Sequence, residues 1–343
     1  MRALVFVGPG QLRFDEVEPP TILEPTDALV RPLAATTCDL DQGLIADKTP
    51  FSAAGPFPLG HECVGTVVEV GPECTTISVG DRVGVAWHIA CGTCIQCVAG
   101  HPARCLVHGD SQYGLPVNGQ WGGTFSELIR VPYADYNLAP LPSGVDPVHL
   151  ASVGDNFALG WETTMPYIVD INSPRIAIFG GSGSIGLYVT DVAVHCAKAH
   201  TVYYDDDPTR LAVAERLGAE VGDINGKTGR DFHVAVDASS DPAKLRKALL
   251  SVVPEGWVNS VGIYFQDVAL PMLLLYHRGV NFHNGKGMAR PNMTPILDNV
   301  ADGTLHPELV TSGIYDWEQI PEVLTSANPG HKPIFVLPEE ATP

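Results

Sequence analysis

Arg175-Ile-Ala-Ile-Phe179-Gly-Gly181-Ser182-Gly183-Ser184-Ile185-Gly186 is the stretch on which the fold turns. Its first five residues read as a short buried strand, and the run from Ile185 to Ala199 reads as a helix. Between them stand glycines at the spacing G-x-G-x-x-G. The first permits a tight turn, the second lets a pyrophosphate approach the backbone, and the third lets the helix pack on the strand. Unpaired N–H groups at the helix start then face the phosphates. Such a site expects an acid at the end of the next strand. Asp205 follows the strand Thr201–Tyr204, nineteen residues after Gly186. Gly181, Ser182, Gly183, Ser184, Ile185, Gly186 and Asp205 are therefore the candidate dinucleotide-binding residues. Asp207, just before Pro208, is assigned to cap the next helix, which leaves Asp205 for the ribose hydroxyls. Asp206 would repel a 2′-phosphate and no Arg or Lys follows at once, so NAD is favoured over NADP.

Outward from this stretch, Phe232–Val236, Trp257–Val261 and Val280–Phe282 read as further strands separated by helical runs. That alternation predicts a doubly wound parallel sheet with helices on both faces. The first 140 or so residues have a different texture. Short valine-rich strands such as Met1–Val7 and Thr66–Val70 are punctuated by Gly60, Gly65, Gly71, Gly80 and Gly84, which suggests a small β barrel or sandwich. From about His283 the pattern is mixed and ends in a strand at Pro333–Leu337.

The composition limits what the chain can do. Charged residues are 17% and the net charge is −19, with a pI near 4.8. Such a surface repels nucleic-acid phosphates and anionic lipids, so neither is an expected partner. No apolar run approaches the roughly 18 residues of a membrane span, and the N-terminal apolar run is too brief for a secretory core. Four of the eight cysteines crowd into Cys91–Cys105, a pattern that points to metal and to reduced thiols; the expected compartment is the cytoplasm.

Cys91-Gly-Thr-Cys94-Ile-Gln-Cys97, followed by Cys105, supplies four thiolates that can close a tetrahedron around a structural Zn²⁺. A second set is sparser: Cys38 in Thr37-Cys38-Asp39-Leu40-Asp41, and His61 in Gly60-His61-Glu62. Taken singly, such residues are more often core than ligands.

With Gly60-His61-Glu62-x-x-Gly65-x5-Gly71, Gly80-Asp81-Arg82-Val83, the four-cysteine lobe and the glycine fingerprint in this order, the chain resembles the zinc-dependent medium-chain alcohol dehydrogenases over nearly its whole length. The resemblance implies an α/β protein with a β-rich part: a GroES-like β-barrel catalytic domain over residues 1–155 that carries the structural zinc lobe, a Rossmann NAD-binding domain over 156–282, and a return to the catalytic domain over 283–343. It places Cys38 and His61 on two catalytic zinc ligands and Glu62 on an adjacent acid that can approach or coordinate the metal. Asp155, in Ala151-Ser-Val-Gly-Asp155-Asn, is the candidate third ligand, and Asp41 is the carboxylate that holds the His61 imidazole. Two zinc ions per chain are thus expected.

By family position Trp87 and His88 reach the substrate pocket. Leu40 stands where relatives commonly carry a proton-relaying Ser or Thr. The implied activity is hydride transfer between NAD and a small alcohol, aldehyde or ketone, in a homodimer or homotetramer. Polyols, sugars or formaldehyde are alternative substrates on the same core. Leu40 also keeps open a weakly catalytic NAD-binding protein.

Overall fold

A computed structural model describes residues 1–181 and 183–337. Ser182, one of the fingerprint residues, lies outside the described residues. The chain divides into two units. Unit 1 comprises Met1–Ala158, Met288–Ala301 and the segment from Thr311 onward; unit 2 comprises Leu159–Gly287 and Asp302–Val310.

The strands, in chain order, are β1 (Arg2–Gly8), β2 (Gln11–Glu16), β3 (Ala28–Thr36), β4 (Phe57–Pro58), β5 (Glu62–Val70), β6 (Arg82–Val85), β7 (Ile129–Val131) and β8 (Leu138–Pro140). They continue as β9 (Arg175–Phe179), β10 (His200–Asp205), β11 (Glu220–Asp223), β12 (Phe232–Asp237), β13 (Val252–Ser260), β14 (Asn281–Asn284), β15 (Gly313–Asp316) and β16 (Pro333–Val336).

Unit 1 is built on a sheet of order β15-β16-β3-β5-β6-β8, with β7 also pairing β3, beside a smaller sheet β2-β1-β4. Alternation along β1 and β3 puts Leu4, Phe6, Ala28 and Val30 into one apolar core with Val67, Val85, Phe125 and Phe335. One register matters for the chemistry. Thr36 pairs with Glu62 on one side and with Ile334 on the other. The start of β5 and the start of β16, nearly the whole chain apart in sequence, are thereby brought to the same end of the sheet.

Unit 2 is the doubly wound parallel sheet expected from the sequence, with order β11-β10-β9-β12-β13-β14. The strand order reverses between β9 and β12, and such a switch point is where open α/β sheets bind ligands. β9 spans Arg175–Phe179 and pairs in parallel with both β10 and β12. The helix after the glycines runs Ile185–His195, shorter than the sequence suggests, because the chain passes through a left-handed Lys198 (φ 50°) before β10. Unit 2 also extends beyond residue 282. β14 pairs with β13 as far as Asn284, and the His306 N–H donates to buried Asp191 at 2.8 Å, tying Asp302–Val310 to the helix Ile185–His195. Among the described residues no helix is long and apolar enough to cross a membrane.

Candidate metal centres and dinucleotide site

Three separate segments of unit 1 bring a thiol, an imidazole and two carboxylates together. Cys38 is the N-cap of the helix Asp39–Ile45, and its sulfur accepts the Leu40 N–H at 3.2 Å. Asp41 closes a capping box by accepting the Cys38 N–H at 3.0 Å. His61 precedes β5, and Asp155 precedes the helix Asn156–Glu162. Glycines beside two of these residues set their positions. Gly60 has φ +96°, and a Cβ there would lie 2.6 Å from the Phe125 ring. A Cβ at Gly154 would lie 1.7 Å from the Val85 carbonyl oxygen, so the turn bearing Asp155 is pressed directly onto β6.

The donor atoms of Cys38, His61, Glu62 and Asp155 all lie within 4.8 Å of one another. His61 Nε2 is 3.1 Å from Cys38 Sγ and 3.4 Å from Asp155 Oδ2, while Nδ1 lies 3.5 Å from Asp41 Oδ1. Ligands on a tetrahedral Zn²⁺ at ordinary bond lengths stand about 3.4 Å apart for N and O and about 3.5 Å for N and S. The donor set therefore fits zinc, with Asp41 placed to keep the Nδ1 proton and orient the ring. The charge balance points the same way. Burial pushes the Cys38 thiol up to about 12, against the pull of His61, so a thiolate here calls for a cation. Burial acts against a charged His61, yet Asp41 and Cys38 hold its pKa well above the ordinary value.

Glu62 is fully buried, and burial pushes its carboxyl up to about 7 against the attraction of Lys332. Lys332 Nζ donates to Glu62 Oε1 and Oε2 at 2.9 Å each and to the Thr37 carbonyl at 2.7 Å. Ser152 Oγ donates to Glu62 Oε2. Neither Lys332 nor Ser152 was marked by the sequence. Lys332 lies 270 residues from Glu62, and an isolated lysine carries no motif.

Cys91, Cys94, Cys97 and Cys105 form the second cluster. Cys94 Sγ is 3.5 Å from Cys97 Sγ and 4.0 Å from Cys105 Sγ, bracketing the roughly 3.8 Å expected of thiolates around zinc. Backbone N–H groups of Cys94, Cys91 and Leu106 donate to Cys91, Cys105 and Cys94 sulfurs at 3.3, 3.4 and 3.4 Å. Backbone donors of this kind bring the Cys94 thiol down to about 6. The eight cysteines are all free thiols.

The candidate dinucleotide residues Gly181, Gly183, Ser184, Ile185 and Gly186 lead from β9 into the helix Ile185–His195. Asp205 ends β10 and is enclosed by donors. It is 2% exposed and accepts from Tyr203 Oη, Arg210 Nε, Arg210 Nη2 and the backbone N–H groups of Asp206 and Asp207. The sequence also shows no cation directly after the acids. The fold supplies two, because Arg210 returns one helical turn later and Lys244 Nζ comes within 3.6 Å of Asp206. Asp207 caps its helix as expected, through the Arg210 N–H at 2.8 Å.

The residues expected at the substrate pocket are placed differently from one another. Trp87 packs in a small apolar cluster with Ala103, Ala158, Met288 and Ala289, and the buried His88 ring meets it edge-on. The Leu40 side chain packs, partly buried, against the main core of unit 1, while its N–H serves Cys38.

Residues 24–143 match the family described as "Alcohol dehydrogenase GroES-like domain". The chain is 30% identical over 335 residues to an alcohol dehydrogenase of Geobacillus stearothermophilus, covering 93% of each protein. It is 30% identical over 310 residues to the "Probable zinc-binding alcohol dehydrogenase" of Mycobacterium tuberculosis, covering 87% of this chain and 79% of that protein. Its structure superposes on alcohol dehydrogenase TADH of Thermus sp. ATN1 with a TM-score of 0.89 and 28% identity, over 98% of this chain and all of that one.

Proposed function

Because this chain belongs to the zinc-dependent medium-chain alcohol dehydrogenases, a family of oxidoreductases, we propose that it interconverts an alcohol and its aldehyde or ketone with NAD as hydride carrier. Cys38, His61 and Asp155 would hold the catalytic zinc, and Cys91, Cys94, Cys97 and Cys105 the structural one. The carrying observation is the convergence of thiol, imidazole and carboxylate donors within 4.8 Å from three distant segments, beside a separate four-thiol cluster.

When bound, zinc supplies a Lewis acid that polarises the substrate oxygen, and NAD accepts the hydride. The chain's own residues set the conditions. Cys38 and Asp155 bring two negative charges, enough to neutralise a divalent ion without overcharging it. Asp41 fixes the His61 tautomer that leaves Nε2 facing the sulfur. Leu40 has no hydroxyl, so the substrate proton leaves by a route other than the relay common among relatives.

NAD is proposed over NADP on charge. Asp205, Asp206 and Asp207 outweigh Arg210 and Lys244 by one negative charge, and the Arg210 guanidinium is already paired with Asp205. A 2′-phosphate would meet net repulsion. Self-association into a homodimer or homotetramer is supported by the open edge of β14 and by exposed Met272, Leu273 and Tyr276 on one helix. Free thiols throughout support a reducing compartment, the cytoplasm.

Elemental analysis tests the core of this reading. Wild-type protein should carry two zinc ions per chain. Cys38→Ser and Asp155→Asn should each weaken the hold on one of them and lower NAD-linked alcohol oxidation by about 100-fold or more. Full turnover in a folded Cys38→Ser chain that retains only the four-cysteine zinc would overturn it.

A further inference from the structure

Asp237 is a fully buried carboxylate outside the metal centres. It ends β12, where it pairs with Phe179 at the end of β9 and with Ser260 at the end of β13. Four donors hold it. Ser239 N–H and Oγ reach Oδ1 at 3.2 and 2.5 Å, and Ser260 Oγ and Tyr264 Oη reach Oδ2 at 2.7 Å each. All four are neutral dipoles, and among the described residues no cation pairs with this carboxylate. A buried charge is ordinarily matched by an opposite one. Asp205, at the end of β10, has Arg210 for that purpose; Asp237 has no counterpart.

The surrounding turns fix its place. A Cβ at Gly181, in the glycine turn, would lie 2.2 Å from the Ala238 carbonyl oxygen, and one at Gly262 would lie 2.7 Å from the Ser240 nitrogen. Ser240 has φ 53°, and its Oγ accepts the Ile263 N–H at 3.0 Å. The turns that follow β9, β12 and β13 are thus pressed together at the carboxyl ends of the strands, with Asp237 at their base. In a doubly wound sheet a dinucleotide lies across those ends, one mononucleotide on each half. With the adenosine half beside Asp205, as proposed, the β12–β14 half would take the nicotinamide.

We propose that the unneutralised charge of Asp237 poises the bound cofactor toward its oxidised form. The inference rests on the NAD reading. NAD⁺ carries a positive charge on the nicotinamide ring, and uptake of a hydride from the alcohol carbon removes it. A fixed negative charge on that half of the sheet therefore stabilises NAD⁺ relative to NADH, through space and without contact. Burial under the three turns keeps water from screening it.

The test is equilibrium binding of NAD⁺, NADH and ADP-ribose to the zinc-loaded protein. Asp237→Asn keeps an oxygen for the hydroxyl donors and removes the charge. It should raise the ratio of Kd for NAD⁺ to Kd for NADH by about tenfold, which is about 30 mV in the two-electron potential of the bound pair. ADP-ribose lacks the ring, so its Kd should stay within about twofold of wild type. Tyr264→Phe removes one O–H dipole that offsets the charge, and should move the ratio the opposite way by about threefold. Loosening of the turns would weaken all three ligands alike in both variants, so opposite shifts separate the charge from a structural role. Where Asp237→Asn does not fold, the direction of the Tyr264→Phe shift decides alone. An unchanged ratio in either variant, or shifts in the same direction in both, would overturn the proposal. A wild-type chain that binds NADPH in place of NADH would sink the NAD reading only, and the same ratio taken with NADP⁺ and NADPH then decides the inference. Binding of neither pair would sink both.

Discussion

The Asp205 carboxylate accepts five donors, more than its four lone-pair sites readily serve, so a ribose hydroxyl bound there, as proposed, would have to displace one of them. Tyr203 is fully buried and the two backbone N–H groups are fixed, which leaves the Arg210 side chain, 13% exposed, as the donor able to move. Removing the charge should therefore alter both cofactor choice and stability. Asp205→Asn turns the local balance from one negative charge to zero, and the ratio of kcat/KM for NAD over NADP should fall by about tenfold. Burial opposes the ionised form of Asp205, but Arg210 holds its pKa below the ordinary carboxylate value. The stabilisation is then fully present above pH ~4 and is lost as pH falls through the lower folded value. Thermal melts between pH 3 and 7 should show a shallower acid limb in Asp205→Asn; an identical limb would show that the pair adds nothing to stability.

The segment Cys91–Cys105 has only a four-residue helix, Ile95–Val98, and a three-residue 3-10 turn, Pro102–Arg104, to give it shape. Its interior is little more than Ala90 and the sulfurs, against Tyr133 and Tyr136. So small a core does little to offset the entropy of ordering the loop, and the proposed zinc would supply the missing crosslink. Cys97→Ser should leave the chain with one zinc, unchanged NADH binding, and rapid tryptic cleavage after exposed Arg104. Cleavage as slow as in wild type would show that the lobe holds its shape without the ion. Its neighbour in sequence, the strand pair β5 and β6, needs no such help: Val64, Val67, Val83 and Val85 are all fully buried in the sheet.

Across the whole molecule a net charge of −19 favours dispersed chains, and the proposed self-association would have to come from apolar surface. Helix Met272–Arg278 leaves Leu273 68% and Tyr276 82% exposed, on the same unit as the open edge of β14. Leu273→Glu combined with Tyr276→Glu should shift the mass measured by light scattering toward that of one chain, with zinc content unchanged; an unshifted mass would place the interface elsewhere. The amino-acid sequence by itself determined whatever depends on near neighbours. Cys91 to Cys105 and the glycines before the helix Ile185–His195 are local spacings, and the strand–helix alternation from Arg175 onward is a local period, so the four-cysteine cluster and the doubly wound sheet were legible. Cys38, His61 and Asp155 became a set only through resemblance, because no period links residues so far apart. Only the tertiary structure decided that Lys332 and Ser152 hold Glu62 and that Arg210 covers Asp205. Those pairings come from strand register and helix return, which bring together residues whose separation along the chain carries no signal of their contact.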